Sequence, residues 1–307
     1  MTEHLILIED KPGRNFNQSR LQAFLDCHRL FFWTYCEKLI PQAPRWPLLV
    51  GTATHTGLAE LSAGNSVEAA LAAALAKFRS ELPARRLPGE DVIIAGHEAT
   101  IQRLIPAYVE HWGDDLAYTP LGIEAAGRVE VGKDSGIFLV FRIDKLVSWN
   151  KQTWILDHKT AGRLDMRDMM KYEMDLQMSA YVYGTSVVLN RPVAGIIVDL
   201  LVKTQTPQFH RELFTRSQGA LAEFEREFVE IVENITDCTT RVYDRGEDPM
   251  TVFYKNTKHC IQYGTCPYRG LCLSDTSAQR SLMQPRPPDY VDDLRLLPTA
   301  VENPTND

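Results

Sequence analysis

The sequence contains no apolar run close to the roughly 18 residues that a membrane-spanning helix requires. A basic segment and a small-residue cleavage site are both missing near the N-terminus, so we expect no secretory signal and a cytoplasmic location. An excess of basic residues is lacking too, because the formal net charge is -7. This balance disfavours a protein that coats nucleic acid, but it is compatible with a nuclease, whose metal site adds acidic residues.

Periodic hydrophobic patterns are absent from the C-terminal part of the chain. Residues 236–275 hold four of the six cysteines, and residues 276–307 are rich in Pro, Asp, Ser and Thr, so we expect a disordered tail there. The rest has ordinary globular composition, with 44% hydrophobic and 24% charged residues. It divides into a mainly helical part, 1–115, and a part with strand periodicity, 116–235.

Period-two alternation of apolar residues begins near Tyr118 and indicates where the strands start. After three strands, Asp175 is a good N-cap for a helix, and Ser217 caps a long amphipathic one after two further strands. The order β-β-β-α-β-β, with helices before and after it, predicts an α/β fold with a mixed central sheet flanked by helices.

Residues 137–159 are two β-branched apolar runs around a polar break at 148–151, which is a hairpin signal. The midpoint between Asp144 and Asp157 falls inside the break, so a turn centred there places these aspartates opposite each other. Their Cβ atoms would then lie roughly 4.5–5.5 Å apart. Lys159 is two residues beyond Asp157 and therefore lies on the same face of its strand.

Two carboxylates at that distance repel each other unless a proton or a cation lies between them. Hard divalent cations prefer oxygen ligands, and a neighbouring ammonium group suits a phosphate. The hairpin therefore predicts a site for a divalent metal and a phosphate. The alternative is an edge hairpin whose charged side chains are only solvated.

Cys260, Cys266 and Cys272 are separated by five residues each. In a reducing compartment, thiols at such short spacing are typical of metal ligands rather than disulfides. Zinc and a [4Fe–4S] cluster both take four ligands. The fourth ligand could come from one of four residues, namely Cys27, Cys36, Cys238 or His259. The alternative is three unrelated cysteines in a turn-rich segment.

Two further features fall in predicted helices. His55 follows the small-residue run Gly51-Thr-Ala-Thr, which predicts a closely packed helix; a histidine there is more often a core or surface residue than a ligand. Gln177 and Tyr181 lie one helical turn apart and share a face. Simple packing of that helix on the sheet is the alternative explanation for the tyrosine.

Taken together, these motifs resemble the RecB-type branch of the PD-(D/E)XK nuclease superfamily, and within it the iron–sulfur exonucleases related to the CRISPR-adaptation nuclease and the AddB nuclease domain. That branch has a helix histidine, a glutamate on the first strand, Ile-Asp on the second, then Asp-x-Lys and Gln-x-x-x-Tyr. The matching residues are His55, Glu124, Ile143-Asp144, Asp157-His158-Lys159, and Gln177 with Tyr181. The resemblance covers roughly residues 19–275.

The chain departs from the family pattern at two places. Phe141 stands where the family usually has glycine before Arg-Ile-Asp, and five residues rather than two separate Cys260 from Cys266. The first departure hardly affects the metal site. The second bears on the geometry of the cysteine cluster and on whether that cluster binds iron or zinc.

The resemblance implies a restriction-endonuclease-like core over 116–235. Asp144, Asp157, His55 and the backbone carbonyl of His158 would bind Mg²⁺ or Mn²⁺, the imidazole favouring Mn²⁺. Lys159 would orient or deprotonate the attacking water or stabilise the charged transition state. Glu124 would act in a second metal site or position the first. Gln177 and Tyr181 would contact the substrate. Cys27 would be the fourth ligand of a [4Fe–4S] cluster, beside Cys260, Cys266 and Cys272.

The implied function is a metal-dependent DNA exonuclease, acting on single-stranded ends in recombination, repair or replication. Two other functions stay open at this stage: a catalytically weak nucleic-acid-binding or assembly subunit with the same fold, and a zinc-stapled structural protein. The intact Asp144, Asp157 and Lys159 argue against the subunit, because a retired site has no need for adjacent acids. A brown preparation would exclude the zinc protein.

Overall fold

The computed structural model of the chain describes residues 6–8, 13–83, 87–113, 118–262, 264–289 and 291–292. Its strands are β1 (Ile6–Ile8), β2 (Arg14–Phe16), β3 (Leu39–Pro41), β4 (Thr119–Glu130), β5 (Ile137–Trp149), β6 (Gln152–Ala161), β7 (Gly195–Val202), β8 (Gln208–Thr215) and β9 (Met283–Pro285). Within those described ranges, no helix is sufficiently long and apolar to cross a membrane.

The helices fall before, between and after the strands. They are α1 (Gln18–Asp26), α2 (His28–Phe31), α3 (Trp46–Ser62), α4 (Val67–Ser80), α5 (Glu90–Trp112), α6 (Met166–Met170), α7 (Leu176–Val188), α8 (Gln218–Tyr243), α9 (Pro249–Val252), α10 (His259–Gln262), α11 (Arg269–Leu273) and α12 (Ser277–Arg280). A π-helical turn, Phe32–Cys36, follows α2, and a 3₁₀ turn, Lys171–Glu173, follows α6.

The central sheet has seven strands in the order β1-β4-β5-β6-β7-β8, with β2 pairing to β5 as a branch. Pairs β4/β5, β5/β6 and β7/β8 are antiparallel, whereas β1/β4, β2/β5 and β6/β7 are parallel. The predicted class, α/β with a mixed central sheet flanked by helices, is therefore confirmed.

Strand β5 changes its partner along its length. Residues 137–139 pair with β2, and residues 145–149 pair with β6. β6 in turn pairs with β7 along most of its length, from Trp154 to Ala161. The sheet thus forks between β5 and β6, and Asp144 lies at the point of the fork.

Helices cover both faces of this sheet. On one face α7 and α8 bury the main core, which includes Phe141, Ile155 and Val198. On the other face α3 and α5 contact the sheet through Leu58, Leu104 and Leu201. The caps predicted from sequence are present, since the side chain of Asp175 accepts the backbone N–H groups of the first turn of α7, as Ser217 does for α8.

Several expectations are corrected by the structure. Ser19 as an N-cap and the apolar pattern after it predict a helix to about Leu39, but α1 ends at Asp26 because Cys27 has extended backbone (φ -168°). α8 continues to Tyr243, past the predicted boundary at 235. In the 1–115 part, β1 falls in the apolar run Leu5–Ile8, whose pattern predicts a strand, and β2 is a further strand of the sheet. Residues 162–172, whose polar sequence with three methionines predicts a mobile connection, contain α6.

The C-terminal tail is ordered further than its composition predicts. Residues 277–285 form α12 and β9, and β9 pairs antiparallel with β3 from the N-terminal part. The expectation of disorder from residue 276 is therefore wrong for this segment, because the backbone of β3 satisfies its hydrogen bonds and Met283 is buried. Residues 293–307 lie outside the described ranges.

Candidate active site

The β5–β6 hairpin has the predicted turn. Asn150 and Lys151 both have positive φ, +49° and +62°, as a two-residue hairpin loop with the twist of its strands requires. The ladder pairs Trp149 with Gln152 and continues to Lys145 with Leu156. In that register the next pair is Asp144 and Asp157, so the two aspartates face each other where the strands begin to separate.

Asp144 fills the opening between the separating strands. Its Oδ2 accepts the backbone N–H of His158 at 2.8 Å and lies 3.1 Å from Nδ1 of His55, which α3 brings from the other side of the sheet. Burial disfavours the ionised carboxylate, but His55, His158 and Lys159 outweigh it and hold the pKa of Asp144 well below its usual range. Asp144 is therefore a stable anion at neutral pH.

His55 responds to that anion. Burial of its ring disfavours protonation, yet the charge of Asp144 and the hydrogen bond to it raise the pKa of His55 overall. Its ring also meets the ring of His158 edge-on, with centroids 6.1 Å apart. The structure thus brings His55 to the aspartates although it lies far from them in sequence.

Asp157, Lys159, Gln177 and Tyr181 form a chain of contacts towards α7. Lys159 Nζ lies 2.7 Å from Oδ2 of Asp157 and donates to Oε1 of Gln177 at 2.8 Å. Nε2 of Gln177 donates in turn to the hydroxyl of Tyr181 at 2.9 Å. Gln177 therefore fixes the ammonium group of Lys159 beside Asp157, and Tyr181 fixes the orientation of the Gln177 amide.

The pKa of Asp157 moves opposite to that of Asp144. Asp157 is 2% exposed, and this burial, helped by the charge of Asp144 and opposed by Lys159, raises its pKa. Burial disfavours the charged form of Lys159, but Asp157 and Asp144 outweigh it and raise the pKa of the lysine. Asp157 is therefore short of positive charge even with Lys159 present, whereas Asp144 is not.

Glu124 is the third acid at this place. Its neighbours pair as Ile123 with Lys145 and Ala125 with Ile143, which puts Glu124 opposite Asp144 on β4. Its backbone is left-handed, φ +48°, an arrangement that costs a non-glycine residue about 1 kcal/mol or more. Burial, and then the charge of Asp144, raises the pKa of Glu124, while its Oε2 lies 3.2 Å from Arg142 Nε.

The donors suit a hard divalent cation in chemistry. In the described part of the chain no group of three His, Cys, Asp or Glu side chains is already arranged to hold a metal ion. The reason is visible in the contacts, since Asp144 is turned to His55 and the His158 amide, and Asp157 to Lys159. Asp157 is buried and has a raised pKa, and the partly buried Asp144 faces it; a divalent cation would stabilise both in ionised form.

Four thiols converge beside a second hydrophobic core, which contains Phe31 and Phe253. Burial, and then the neighbouring Cys260, Cys272 and Cys27, raises the pKa of the Cys266 thiol, so all four lie within electrostatic range. The backbone N–H of Asn256 donates to Sγ of Cys27 at 3.2 Å, and that of Cys266 to the carbonyl of Cys260 at 3.0 Å. All four are free thiols.

Of the other candidates for a fourth ligand, Cys36 and Cys238 have different neighbours, whereas His259 is next to Cys260 and near the residue before Cys27. Cys36 lies near Tyr243 and Cys238, and its burial raises its pKa to about 12. His259 lies within the C-terminal segment, and its Nδ1 is 4.0 Å from a carboxylate oxygen of Asp26. Convergence of the thiols therefore favours Cys27 as the partner of the C-terminal three.

Sequence reasoning missed a buried polar row behind the site. Asp199 in β7 is 0% exposed and contacts His158, Arg211 and Tyr108. A signal was available, because Asp199 interrupts the otherwise apolar run of a strand buried along its whole length, and charges are rarely buried without partners.

The sequence profile of the PD-(D/E)XK nuclease superfamily matches residues 15–273 of the chain. Because the match covers most of the 307 residues, the chain belongs to this superfamily. It is thus a nuclease, an enzyme that hydrolyses phosphodiester bonds, and the family predicted from the motifs is confirmed. No curated protein sequence matches the chain.

Two solved structures are similar to this chain. One is a candidate exonuclease from Eubacterium rectale, with 13% identity and a TM-score of 0.49 over 72% of this chain and 80% of that one. The other is the protein SSO0001, with 12% identity and a TM-score of 0.34 over 75% and 78%. The family assignment rests on the profile match and not on these two scores.

Proposed function

We propose that the protein is a metal-dependent DNA exonuclease that acts on single-stranded ends, with Mg²⁺ or Mn²⁺ at the β5–β6 fork. The observation that carries the proposal is the meeting of Asp144, Asp157, Lys159 and His55 at that fork. The resemblance to RecB-type exonucleases supports DNA ends as the substrate, and recombination, repair or replication as the setting.

The metal ligands in this proposal are Asp144, Asp157, His55 and the carbonyl of His158. A bound divalent ion lowers the pKa of a water and polarises a phosphate oxygen. The His158 amide and His55 hold the Asp144 anion at the fork, and the carboxylate and the imidazole would have to turn from each other to face one cation.

Lys159 is the residue proposed to meet the attacking water or the charged phosphate. Its ammonium group is fixed on two sides, by Asp157 and by Gln177, which places a positive charge without cost of reorientation. Tyr181 is only 6% exposed and its hydroxyl accepts from Gln177, so its role is to hold Gln177 rather than to stack on a base. Glu124 is proposed to position the metal site through Asp144.

The test is degradation of end-labelled linear single-stranded DNA with Mn²⁺ or Mg²⁺, beside a circular strand of the same sequence. We expect the linear strand to be degraded and the circle to persist. Asp157→Asn and Lys159→Met should each lose at least about 100-fold in activity, since the first removes a charged metal ligand and the second removes the positive charge beside the phosphate.

Matched controls are Asp237→Asn and Lys133→Met, which make the same exchanges at exposed positions. They should retain wild-type activity. Cleavage of the circle would refute the exonuclease and leave an endonuclease. DNA binding by the wild type without cleavage under any metal would favour the binding or assembly subunit.

We further propose that Cys27, Cys260, Cys266 and Cys272 hold a [4Fe–4S] cluster, with zinc as the alternative. Either metal takes four thiolates, and the proximity of Cys27 to the three C-terminal thiols supports a metal without choosing it, although the described thiols are not arranged as a ligand set. The cluster would join α1 and α2 to the C-terminal segment. Contacts with the central sheet are too few to order that segment, and a bound metal could order it.

A further inference from the structure

A row of three polar side chains crosses the face of the sheet that lies away from Asp157 and Lys159. The parallel register pairs His158 of β6 with Asp199 of β7, and the antiparallel register pairs Asp199 with Arg211 of β8. Paired residues project from the same face, and alternation sends Asp157 and Lys159 to the opposite one. His158 therefore links the active site to this row through its own backbone.

Asp199 is the centre of the row. Its Oδ2 accepts from the Tyr108 hydroxyl at 2.6 Å and from Arg211 Nη2 at 3.1 Å, and Nδ1 of His158 lies 3.2 Å away. Asp199 is 0% and His158 is 5% exposed, so none of these contacts is shared with water. Tyr108 and Arg211 hydrogen-bond this oxygen, and the His158 ring approaches it as a close contact without hydrogen-bond geometry.

Arg211 and Tyr108 are themselves fixed. Arg211 Nη2 also donates to the Tyr108 oxygen at 3.0 Å, and its guanidinium lies over the ring of Trp112, 3.9 Å from the centroid. Tyr108 and Trp112 both belong to α5, so this helix and the edge strand β8 anchor the centre of the row together. A rigid support of this kind transmits position rather than charge.

His158 carries two backbone groups that the active site uses. Its N–H binds Oδ2 of Asp144 at 2.8 Å, and its carbonyl is a proposed metal ligand. The ladder between β5 and β6 has already ended at Lys145 and Leu156, so strand pairing with β5 does not fix this peptide. The β6–β7 ladder continues through His158, and the contact of the His158 ring with Asp199 adds a side-chain restraint to it.

We propose that Asp199 is a positioning residue of the nuclease centre, which anchors the His158 imidazole from behind the sheet and thereby sets the peptide that holds Asp144. Tyr108 and Arg211 act through Asp199. The proposal rests on the proposed nuclease function for its catalytic consequence, but the anchoring itself is a property of the metal-free fold.

The test compares wild type, Asp199→Asn and Tyr108→Phe by three measurements. The first is hydrogen exchange of the His158 amide in metal-free protein, which we expect to be faster in Asp199→Asn. The second is Mn²⁺ affinity without DNA, measured by the free-ion signal in electron paramagnetic resonance, which should fall by about 10-fold or more. The third is steady-state digestion, in which kcat should fall while KM for DNA changes little.

Tyr108→Phe removes one donor and leaves the Asp199–His158 contact, so it should change all three readouts in the same direction by less. It also keeps the proposal testable if Asp199→Asn does not fold. The matched control is Asn15→Ala, which removes the acceptor of a 2.8 Å bond from buried Arg128 elsewhere in the sheet. It should lower stability without changing Mn²⁺ affinity.

Wild-type exchange at His158 and wild-type Mn²⁺ affinity in both variants would overturn the proposal and reduce the row to core packing. An inactive wild type with faster His158 exchange in Asp199→Asn would instead reject the nuclease proposal and support the anchoring. The two failures are therefore distinguishable.

Discussion

Phe141 shows how single residues adjust to one another near the site. It replaces the glycine that the family usually has before Arg-Ile-Asp, and it is 2% exposed. The room for its ring comes from two glycines, Gly127 directly opposite on β4 and Gly184 on α7. A Cβ added at Gly127 would lie 2.6 Å from the ring, and one added at Gly184 would lie 2.4 Å from it. The Phe141 ring therefore fits only because both neighbouring positions lack a side chain.

Gly184→Ala should therefore destabilise the protein by about 1–3 kcal/mol, the usual cost of overpacking a core, despite the better helix propensity of alanine. Phe141→Leu in the same chain should recover part of the loss, because it removes the atoms that the new methyl group meets. Urea denaturation of the single and double variants measures both effects.

The control is Gly96→Ala, in the exposed interior of α5 with no atom within 4 Å of the added Cβ. It should stabilise by about 0.5–1 kcal/mol, because alanine restricts the unfolded chain and favours helix. Equal stabilisation at positions 184 and 96 would show that the Phe141 ring moves aside freely.

At the scale of elements, strand β9 together with Arg286, Asp289 and Asp292 forms a C-terminal strap that binds the N-terminal part. It pairs with β3, and Arg286 just beyond it binds Asp289 and Asp292 and lies over the ring of Tyr35. Arg20 of α1 binds the same two aspartates. Ion pairs between exposed groups are weak, but here Arg20 comes from the N-terminal part and Arg286 from the C-terminal part. The strap is therefore held to the N-terminal part by ion pairs as well as by backbone hydrogen bonds.

The strap should loosen in acid. Burial opposes ionisation of Asp292, but the Asp289 backbone N–H and Arg20 outweigh it and lower its pKa to about 2. Because the folded pKa lies below the unfolded value of about 3.9, the stabilisation is complete above pH 4 to 5 and is lost as the pH falls towards about 2. Urea midpoints of wild type and Asp292→Asn should differ at pH 6 and converge near pH 2.

Asp237→Asn in α8 is the control, since Asp237 is 56% exposed and lies 4.0 Å from its partner Arg245. Its midpoint should match that of wild type throughout. A difference between wild type and Asp292→Asn that persists at pH 2 would contradict the assigned ion pairs.

At the scale of the whole molecule, the described residues bury two main cores on either side of α1 and α8. The sheet, α7 and the N-terminal half of α8 share one, around Phe228 and Ile155. Phe31, Trp33 and Phe253 form the other, next to the four thiols. Arg29 ties this second core together by donating to the carbonyls of Phe253 and Met250. The four thiols therefore belong to a unit with its own core, which shares α1 and α8 with the unit of the active site.

Cys266→Ala should remove the proposed cluster, with loss of the brown colour and of bound iron, on the order of four atoms per chain in the wild type. Hydrogen exchange should accelerate in residues 253–285 and change little in β5 and β6, because the two units have separate cores. Cys36→Ala is the control, since Cys36 lies near Cys238 and Tyr243 instead, and it should keep colour and iron. A colourless wild type with one zinc would reject the iron–sulfur proposal.

Local features of this chain could be predicted and distant ones could not. Neighbours along the sequence determine the hairpin turn at Asn150 and the helix caps Asp175 and Ser217. They also determine the order of strands and helices along the chain. The break at Cys27, the pairing of β9 with β3 and the row at Asp199 each depend on a segment far away. Composition alone predicted disorder for the tail, because the backbone of its partner strand does not enter a local pattern.

The sequence by itself determined that Asp144 faces Asp157 and that Lys159 shares their side of the hairpin. A two-residue turn and a period of two fix those positions with no help from the rest of the chain. Only the tertiary structure decided that His55 reaches Asp144, that Gln177 holds Lys159, and that the His158 ring is anchored by Asp199. These contacts join helices and strands whose relative placement depends on how both faces of the sheet pack.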